Sequence, residues 1–176
     1  MNFSIITPQS SCWHEVVQLY TSSFPYEERR EIENWQTLAN TISDFHILAL
    51  LNNDDLLGFI SYWDLEGFVY VEHFAISTTH RNQGLGTEIF KQLQEKVCYR
   101  PIVLEVEPPE TSTARRRIAF YERLGLSLST FPYLQPPYRK GDNWFPLCLM
   151  TTDANHLKSQ IKAIERSIHK RVYGVN

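Results

Sequence analysis

The sequence predicts an α/β fold with a mixed sheet in one domain, in the order β-α-α-β-β-β-α-β-α-β-β followed by a C-terminal helix. Three observations carry this. Short runs rich in aromatic and β-branched residues, such as Phe68 to Ile76 and Pro101 to Val106, read as strands. Between them lie segments whose apolar residues recur at helical spacing, as Leu85, Ile89, Phe90, Leu93 and Val97 do. The chain of 176 residues, 43% hydrophobic, is long enough for one core and shows no repeat, low-complexity tract or linker.

Each element follows from its own residues. Phe3 to Thr7 is a short β-type run stopped by Pro8. Ser10 or Ser11 can cap a helix with Trp13, Val16, Val17, Tyr20 and Phe24 on one face, ended by Pro25. The charged stretch from Tyr26 to Glu31 reads as a solvated face, and a second helix runs through Trp35, Leu38 and Ile42. Phe45 to Leu51 and Leu56 to Trp63 are strands around the turn Asn52-Asn53-Asp54-Asp55, and with Phe68 to Ile76 they make a meander. A helix separates that third strand from Pro101 to Val106, so parallel pairing is expected there, which makes the sheet mixed. Pro108-Pro109 breaks the chain before a helix through Ala114, Ile118, Tyr121 and Leu124, with Gly125 beyond its end. Ser127 to Leu134 and Trp144 to Thr151 are two strands joined by a long connection, Gln135 to Asn143. The last helix carries the stripe Leu157, Ile161, Ile164, Ile168 and Val172.

Composition limits what the protein can be. A net charge of −3 gives no general attraction to nucleic acid or anionic membranes. No apolar run approaches membrane-spanning length, and the N-terminus has no signal-peptide pattern. Cys12, Cys98 and Cys148 are odd in number and widely spaced, and the histidines are scattered, so no disulfide framework or metal site is suggested. The expectation is a soluble cytoplasmic protein with no nucleic-acid, membrane or metal partner.

The chemistry concentrates at Arg81-Asn82-Gln83-Gly84-Leu85-Gly86. A strand passing through a glycine-bearing turn into a helix leaves backbone N–H groups without intrahelical acceptors, and the helix dipole favours an anion there. A Walker A loop would need Lys before Thr87, and a dinucleotide fingerprint would need a third glycine. Neither is present.

What remains, Arg/Gln-x-x-Gly-x-Gly/Ala between strand and helix, resembles motif A of the GCN5-related N-acetyltransferases (GNAT family), whose turn grips the pyrophosphate of acetyl-coenzyme A. Arg117-Ile118-Ala119-Phe120-Tyr121-Glu122-Arg123-Leu124-Gly125-Leu126 is similar to the family's Ala-x-x-x-Tyr-Glu-x-x-Gly-Phe segment, and the element order matches up to about Thr151. The resemblance implies an acyltransferase domain over 1–152. It leaves 153–176 as an added helix that packs on the domain or on a partner subunit, in a possible homodimer.

The resemblance also implies roles. Phe74, Ala75 and Ile76 would bind the coenzyme arm through their backbone, and Arg81, Asn82, Gln83, Gly84, Leu85, Gly86 and Thr87 would hold its phosphates. Acetyl transfer from a thioester to an amine needs a neutral amine, a donor for the tetrahedral oxyanion and a proton for the thiolate. Tyr121 matches the family tyrosine facing the coenzyme sulfur and keeps its proton at neutral pH. For the base, Glu72 and Glu105 compete; strand alternation puts Tyr70, Glu72, Phe74 and Ile76 on one face, and in the family that face borders the reacting centre four residues before the strand's end, so the resemblance favours Glu72. His73 falls on the other face and reads as a packed structural histidine. Ala114 stands where the family often has asparagine, so a contact is lost or supplied by Thr111, Ser112 or Thr113. Tyr26, Tyr133, Tyr138 and Trp144 offer aromatic surface for the acceptor, a primary amine on a small molecule or a protein, and Tyr70, on the face of Glu72, joins Tyr26 and Tyr138 as a candidate to contact it. The rival implication is an acyl-coenzyme A-binding regulatory module without catalysis.

Overall fold

The computed structural model describes residues 1–53 and 55–175; Asp54, part of the turn expected after residue 51, lies outside them. The described residues form eight strands and five α-helices. They group into two compact units: Met1–Asp64 with Val71–Cys98, and Leu65–Tyr70 with the chain from Tyr99 onward.

In the first unit β1 (Asn2–Ile5), β2 (Phe45–Asn52) and the greater parts of β3 (Asp55–Leu65) and β4 (Phe68–Ile76) lie side by side in that order. β1 runs antiparallel to β2, with Asn2 opposite Leu51. β2 runs antiparallel to β3, with Phe45 opposite Trp63 and a slip in register between Leu50 and Leu51. Residues Leu57 to Trp63 are buried without alternation, which is why β3 reads as a nearly continuous apolar run: both faces are covered. Three helices supply cover: α1 (Trp13–Ser23), α2 (Ile32–Thr41) and α3 (Leu85–Lys96). Tyr20 of α1 and Trp35 of α2 are fully buried and stack with ring centroids 4.0 Å apart. Phe59 of β3 meets both rings. Large aromatic surfaces of this kind contribute more per residue than any other core contact. The α3 stripe Leu85, Ile89, Phe90 and Leu93 is buried as its spacing predicts.

Two local expectations are corrected here. Neither Ser10 nor Ser11 caps α1; Cys12 occupies that position without a side-chain bond. Ser10 Oγ instead accepts from the Thr7 N–H, closing the turn ahead of the helix. The buried face of α1 is Val16, Leu19 and Tyr20, so it is rotated from the face that includes Val17. The charged stretch after Phe24 forms a single 3-10 turn, Tyr26–Glu28, which is exposed as expected. Arg30 is the exception and turns inward.

In the second unit β5 (Ile102–Val106) runs antiparallel to β8 (Phe145–Thr151), with Val103 opposite Thr151. α4 (Ser112–Arg123) is capped by Thr111, whose hydroxyl accepts from the Ala114 N–H, and Gly125 follows its end at φ +88°. The strand expected from Ser127 to Leu134 is two pieces, β6 (Ser127–Leu128) and β7 (Tyr133–Gln135), both antiparallel to β8. Pro132 cannot donate to a ladder, and Ser129 Oγ takes the Phe131 N–H, so the pairing breaks between them. Trp144 lies just outside β8 and is 46% exposed. α5 (Ala154–Arg171) starts at Asp153, which accepts from the His156 N–H, and buries Leu157, Ile164 and Ile168 of the predicted stripe, with Val172 just beyond its end.

Candidate functional site

The turn ahead of α3 has the backbone of an anion seat. Asn82 and Gly84 adopt left-handed conformations, at φ +63° and +79°, with Gln83 between them. Such alternation curls successive N–H groups into a concavity, and the first N–H groups of α3 have no intrahelical acceptor. Arg81 through Gly84 are exposed, and among the described residues outside its own stretch of chain no heavy atom lies within 4 Å of where a Gly84 Cβ would sit. Gly86 and Thr87 are half-exposed, whereas Leu85 is buried and anchors the helix start. Arg81 Nε donates to the Ile76 carbonyl at 3.4 Å and Gln83 Nε2 to the Thr79 carbonyl at 3.5 Å, which ties the turn back to the end of β4.

β4 reaches that turn through Phe74, Ala75 and Ile76. The Phe74 ring lies 6.5 Å from Phe90 of α3. A Cβ on Gly58 of β3 would stand 2.8 Å from the Ala75 carbonyl oxygen and 2.7 Å from Ile76 Cδ1, so glycine is what lets β3 approach this stretch. Gly58 was not singled out from the sequence; a lone glycine inside an apolar strand run was the available signal.

Glu72 is committed elsewhere. Its side chain is fully buried, Arg30 Nε donates to Oε1 at 2.8 Å, and Trp63 Nε1 donates to Oε2 at 2.7 Å. The Arg30 guanidinium also lies over the Trp63 ring, 5.8 Å from its centroid. A carboxylate held by a guanidinium is a poor proton acceptor, which weighs against the preference for Glu72 that the resemblance implied. His73 is buried edge-on against Tyr20 and Phe24, with Nε2 3.0 Å from the Glu28 carbonyl, the packed role expected of it. Tyr26 is exposed, donates to Glu31 and lies under the Arg29 guanidinium.

The second unit holds a different carboxylate. Glu105 of β5 is partly buried and is met by four side chains. Tyr133 donates to Oε1; Gln135 Nε2 and Tyr173 donate to Oε2 at 2.6 and 2.9 Å; Tyr70 also reaches the carboxylate. Burial pushes its pKa up, and these hydrogen bonds oppose the rise. Tyr138 packs its ring 5.1 Å from that of Tyr173. Tyr121 is a buried residue of α4; burial raises its phenol to about 12, with Arg117 opposing, so it holds its proton at neutral pH.

A family model described as the Acetyltransferase (GNAT) family matches residues 13–126, more than half of the chain and both motifs. The chain belongs to the GNAT acetyltransferase family. It is similar to YjbC of Bacillus subtilis (strain 168), provisionally named as an acetyltransferase, at 27% identity over 113 residues, 63% of this chain and 54% of that protein. The chain therefore spans about half the length of that curated relative. A solved structure from Bacteroides thetaiotaomicron, provisionally named as a GNAT acetyltransferase, is 39% identical, covers both chains completely and superimposes with a TM-score of 0.93. Arabidopsis thaliana NAA60 in complex with acetyl-CoA is 18% identical over 85% of this chain and 96% of its own, with a TM-score of 0.64, and shares the fold.

Within this GNAT chain the second motif departs from the family pattern in a defined way. Ala114 is buried, and Thr111, a candidate to replace the missing asparagine, has its hydroxyl engaged as the cap of α4. Arg115 donates to the carbonyls of Pro109 and Glu110, and Arg117 pairs with Glu107. All three arginines of the 115–117 run are exposed. Tyr173, Gln135, Arg30 and Trp63 were missed by sequence reasoning. Each acts through a contact between residues distant in the chain, for which no local pattern exists.

Proposed function

We propose that the protein is an N-acetyltransferase that moves the acetyl group of acetyl-CoA to a primary amine of a small molecule or protein in the cytoplasm. The observation that carries this reading is the exposed, doubly left-handed turn at Asn82 and Gly84 ahead of α3, in a chain of the GNAT family. In this reading the residues from Arg81 to Thr87 hold the pyrophosphate, and the backbone at Phe74, Ala75 and Ile76 lines up the pantetheine arm. Tyr26, Tyr70 and Tyr138 are the aromatic candidates for contact with the acceptor.

Of the two carboxylates, Glu105 is the better base. Its pKa is raised by burial and, among the described residues, no guanidinium pairs with it, whereas Glu72 is held by Arg30. The amine nitrogen attacks the thioester carbonyl, the N–C bond forms, and the amine proton passes to Glu105 directly or through its phenols. The C–S bond then breaks and the thiolate takes the Tyr121 proton.

The test is thermal unfolding with coenzyme A, acetyl-CoA, ATP and NAD at equal concentration, since a ligand that binds only the folded state stabilises it by mass action. Stabilisation by both coenzyme A species alone is expected. Thiol release from acetyl-CoA in the presence of amines, lost in Tyr121→Phe and Glu105→Gln, is the expected second result. Equal response to all four ligands, or to none, would sink the reading. Binding without thiol release from any amine would point to a regulatory module instead.

A further inference from the structure

The family match ends at residue 126, yet the Glu105 carboxylate is completed by side chains beyond it: Tyr133, Gln135 and Tyr173. Tyr173 comes from the turn that closes α5. Gly174 takes a left-handed conformation at φ +71°, and the Val175 N–H donates to the His169 carbonyl at 3.0 Å, so the tail is folded back onto the helix. Val172, buried at 3% exposure, anchors the same turn. The Tyr173 hydroxyl is thereby held at a meeting point of three groups: Glu105 Oε2 at 2.9 Å, Gln135 Nε2 at 2.7 Å and the Tyr70 hydroxyl at 3.1 Å.

We propose that the C-terminal segment is a working part of the site, with Tyr173 as a positioning residue that orients the Glu105 carboxylate and links it to Tyr70. A phenol has one proton to give. With Tyr173 donating to Glu105, its oxygen is left to accept, and Gln135 Nε2 supplies a donor to it. Tyr70, which also reaches the carboxylate, gives its one proton either to Glu105 directly or to the Tyr173 oxygen, and in the second arrangement a directed chain runs Tyr70 to Tyr173 to Glu105. The direction holds while Glu105 is charged. A proton on Oε2 would displace the Tyr173 hydrogen, and with the proton on Oε1 a neutral carboxyl accepts the Tyr173 hydrogen more weakly than the charged one. Tyr173 therefore favours the charged form of Glu105 and sets how readily it accepts a proton. The other titratable groups bonded to the carboxylate from neighbouring elements are Tyr70 and Tyr133. Behind Tyr133 lie His169, with ring centroids 5.5 Å apart, and Glu165.

The inference rests on Glu105 being the base, so the experiment separates the two. The Glu105 side-chain carboxyl is titrated by carbon-13 NMR in the full chain, wild type against Tyr173→Phe, with Glu105→Gln to assign the signal. The phenylalanine keeps the ring beside Tyr138 and removes only the hydroxyl. The titration midpoint is expected to move to higher pH in Tyr173→Phe, and the acid limb of thiol release from acetyl-CoA with a simple primary amine is expected to move with it. A midpoint that stays put overturns the proposal, whatever happens to the rate. A midpoint that moves while Glu105→Gln transfers at the wild-type rate supports the hold of Tyr173 on Glu105 and overturns the base assignment alone. Thermal stabilisation by coenzyme A, unchanged in Tyr173→Phe, checks that the loss is not one of folding.

Discussion

His73 shows how much one buried side chain can fix. The Glu28 carbonyl can only accept, so Nε2 must carry the hydrogen in the bond between them, which defines the neutral tautomer. Burial lowers its pKa, opposed by Glu72 and by the Glu28 carbonyl. The folded protein thus binds fewer protons than the unfolded chain below the ordinary histidine value of 6.5, and stability must fall as pH drops through that value toward the folded one. His46 and His169 are shifted in the same direction, while Glu105 works with the opposite sign. The expected result is a decline of the thermal midpoint on acidification that is shallower in His73→Gln than in wild type, measured at matched ionic strength. Equal slopes would assign the acid sensitivity to other groups. The sequence placed His73 on the packed face because strand parity is local. It could not place Arg30 against Glu72, because that contact joins residues on separate elements.

At the level of elements, the two informative glycines behave differently. Gly58 has no room for a side chain: its Cβ would press on the Ala75 backbone, which cannot move without shifting β4. Gly58→Ala is expected to lose about 1–3 kcal/mol, the range for overpacking a filled site. Gly84 has open space around it, so Gly84→Ala bears only the left-handed backbone strain, about 1–2 kcal/mol. Denaturant unfolding of both variants, with coenzyme A binding measured alongside, separates these causes. Gly84→Ala is expected to weaken coenzyme A binding along with stability. Intact stability in Gly58→Ala would mean that β3 and β4 can spread at little cost. The turn glycine was legible because its neighbours form a pattern with a known geometry. The strand glycine was not, because only the register of β3 beside β4 brings the Ala75 oxygen to it.

For the whole molecule, α5 is the test of how far the fold depends on its last element. Its Leu157, Ile164 and Ile168, with Val172, are all buried, and burying one such side chain is worth about 1.5–3 kcal/mol. Their sum rivals the roughly 5–15 kcal/mol that separates a typical native state from its unfolded chain. A chain ending at residue 152 is therefore expected to lose cooperative unfolding in calorimetry, and a sharp transition near the wild-type temperature would contradict this. Sequence alone determined the α/β class, most of the element order, the glycine turn ahead of α3 and the family, because periodicity, turn residues and the two motifs act over a few neighbouring positions. Tertiary structure decided the rest. It gave Glu72 to Arg30 and Trp63, surrounded Glu105 with Tyr70, Tyr133, Gln135 and Tyr173, and split the strand after Leu126 into β6 and β7. A carboxylate's proton affinity is set by the charges and donors that surround it in space, and spacing along the chain does not encode them.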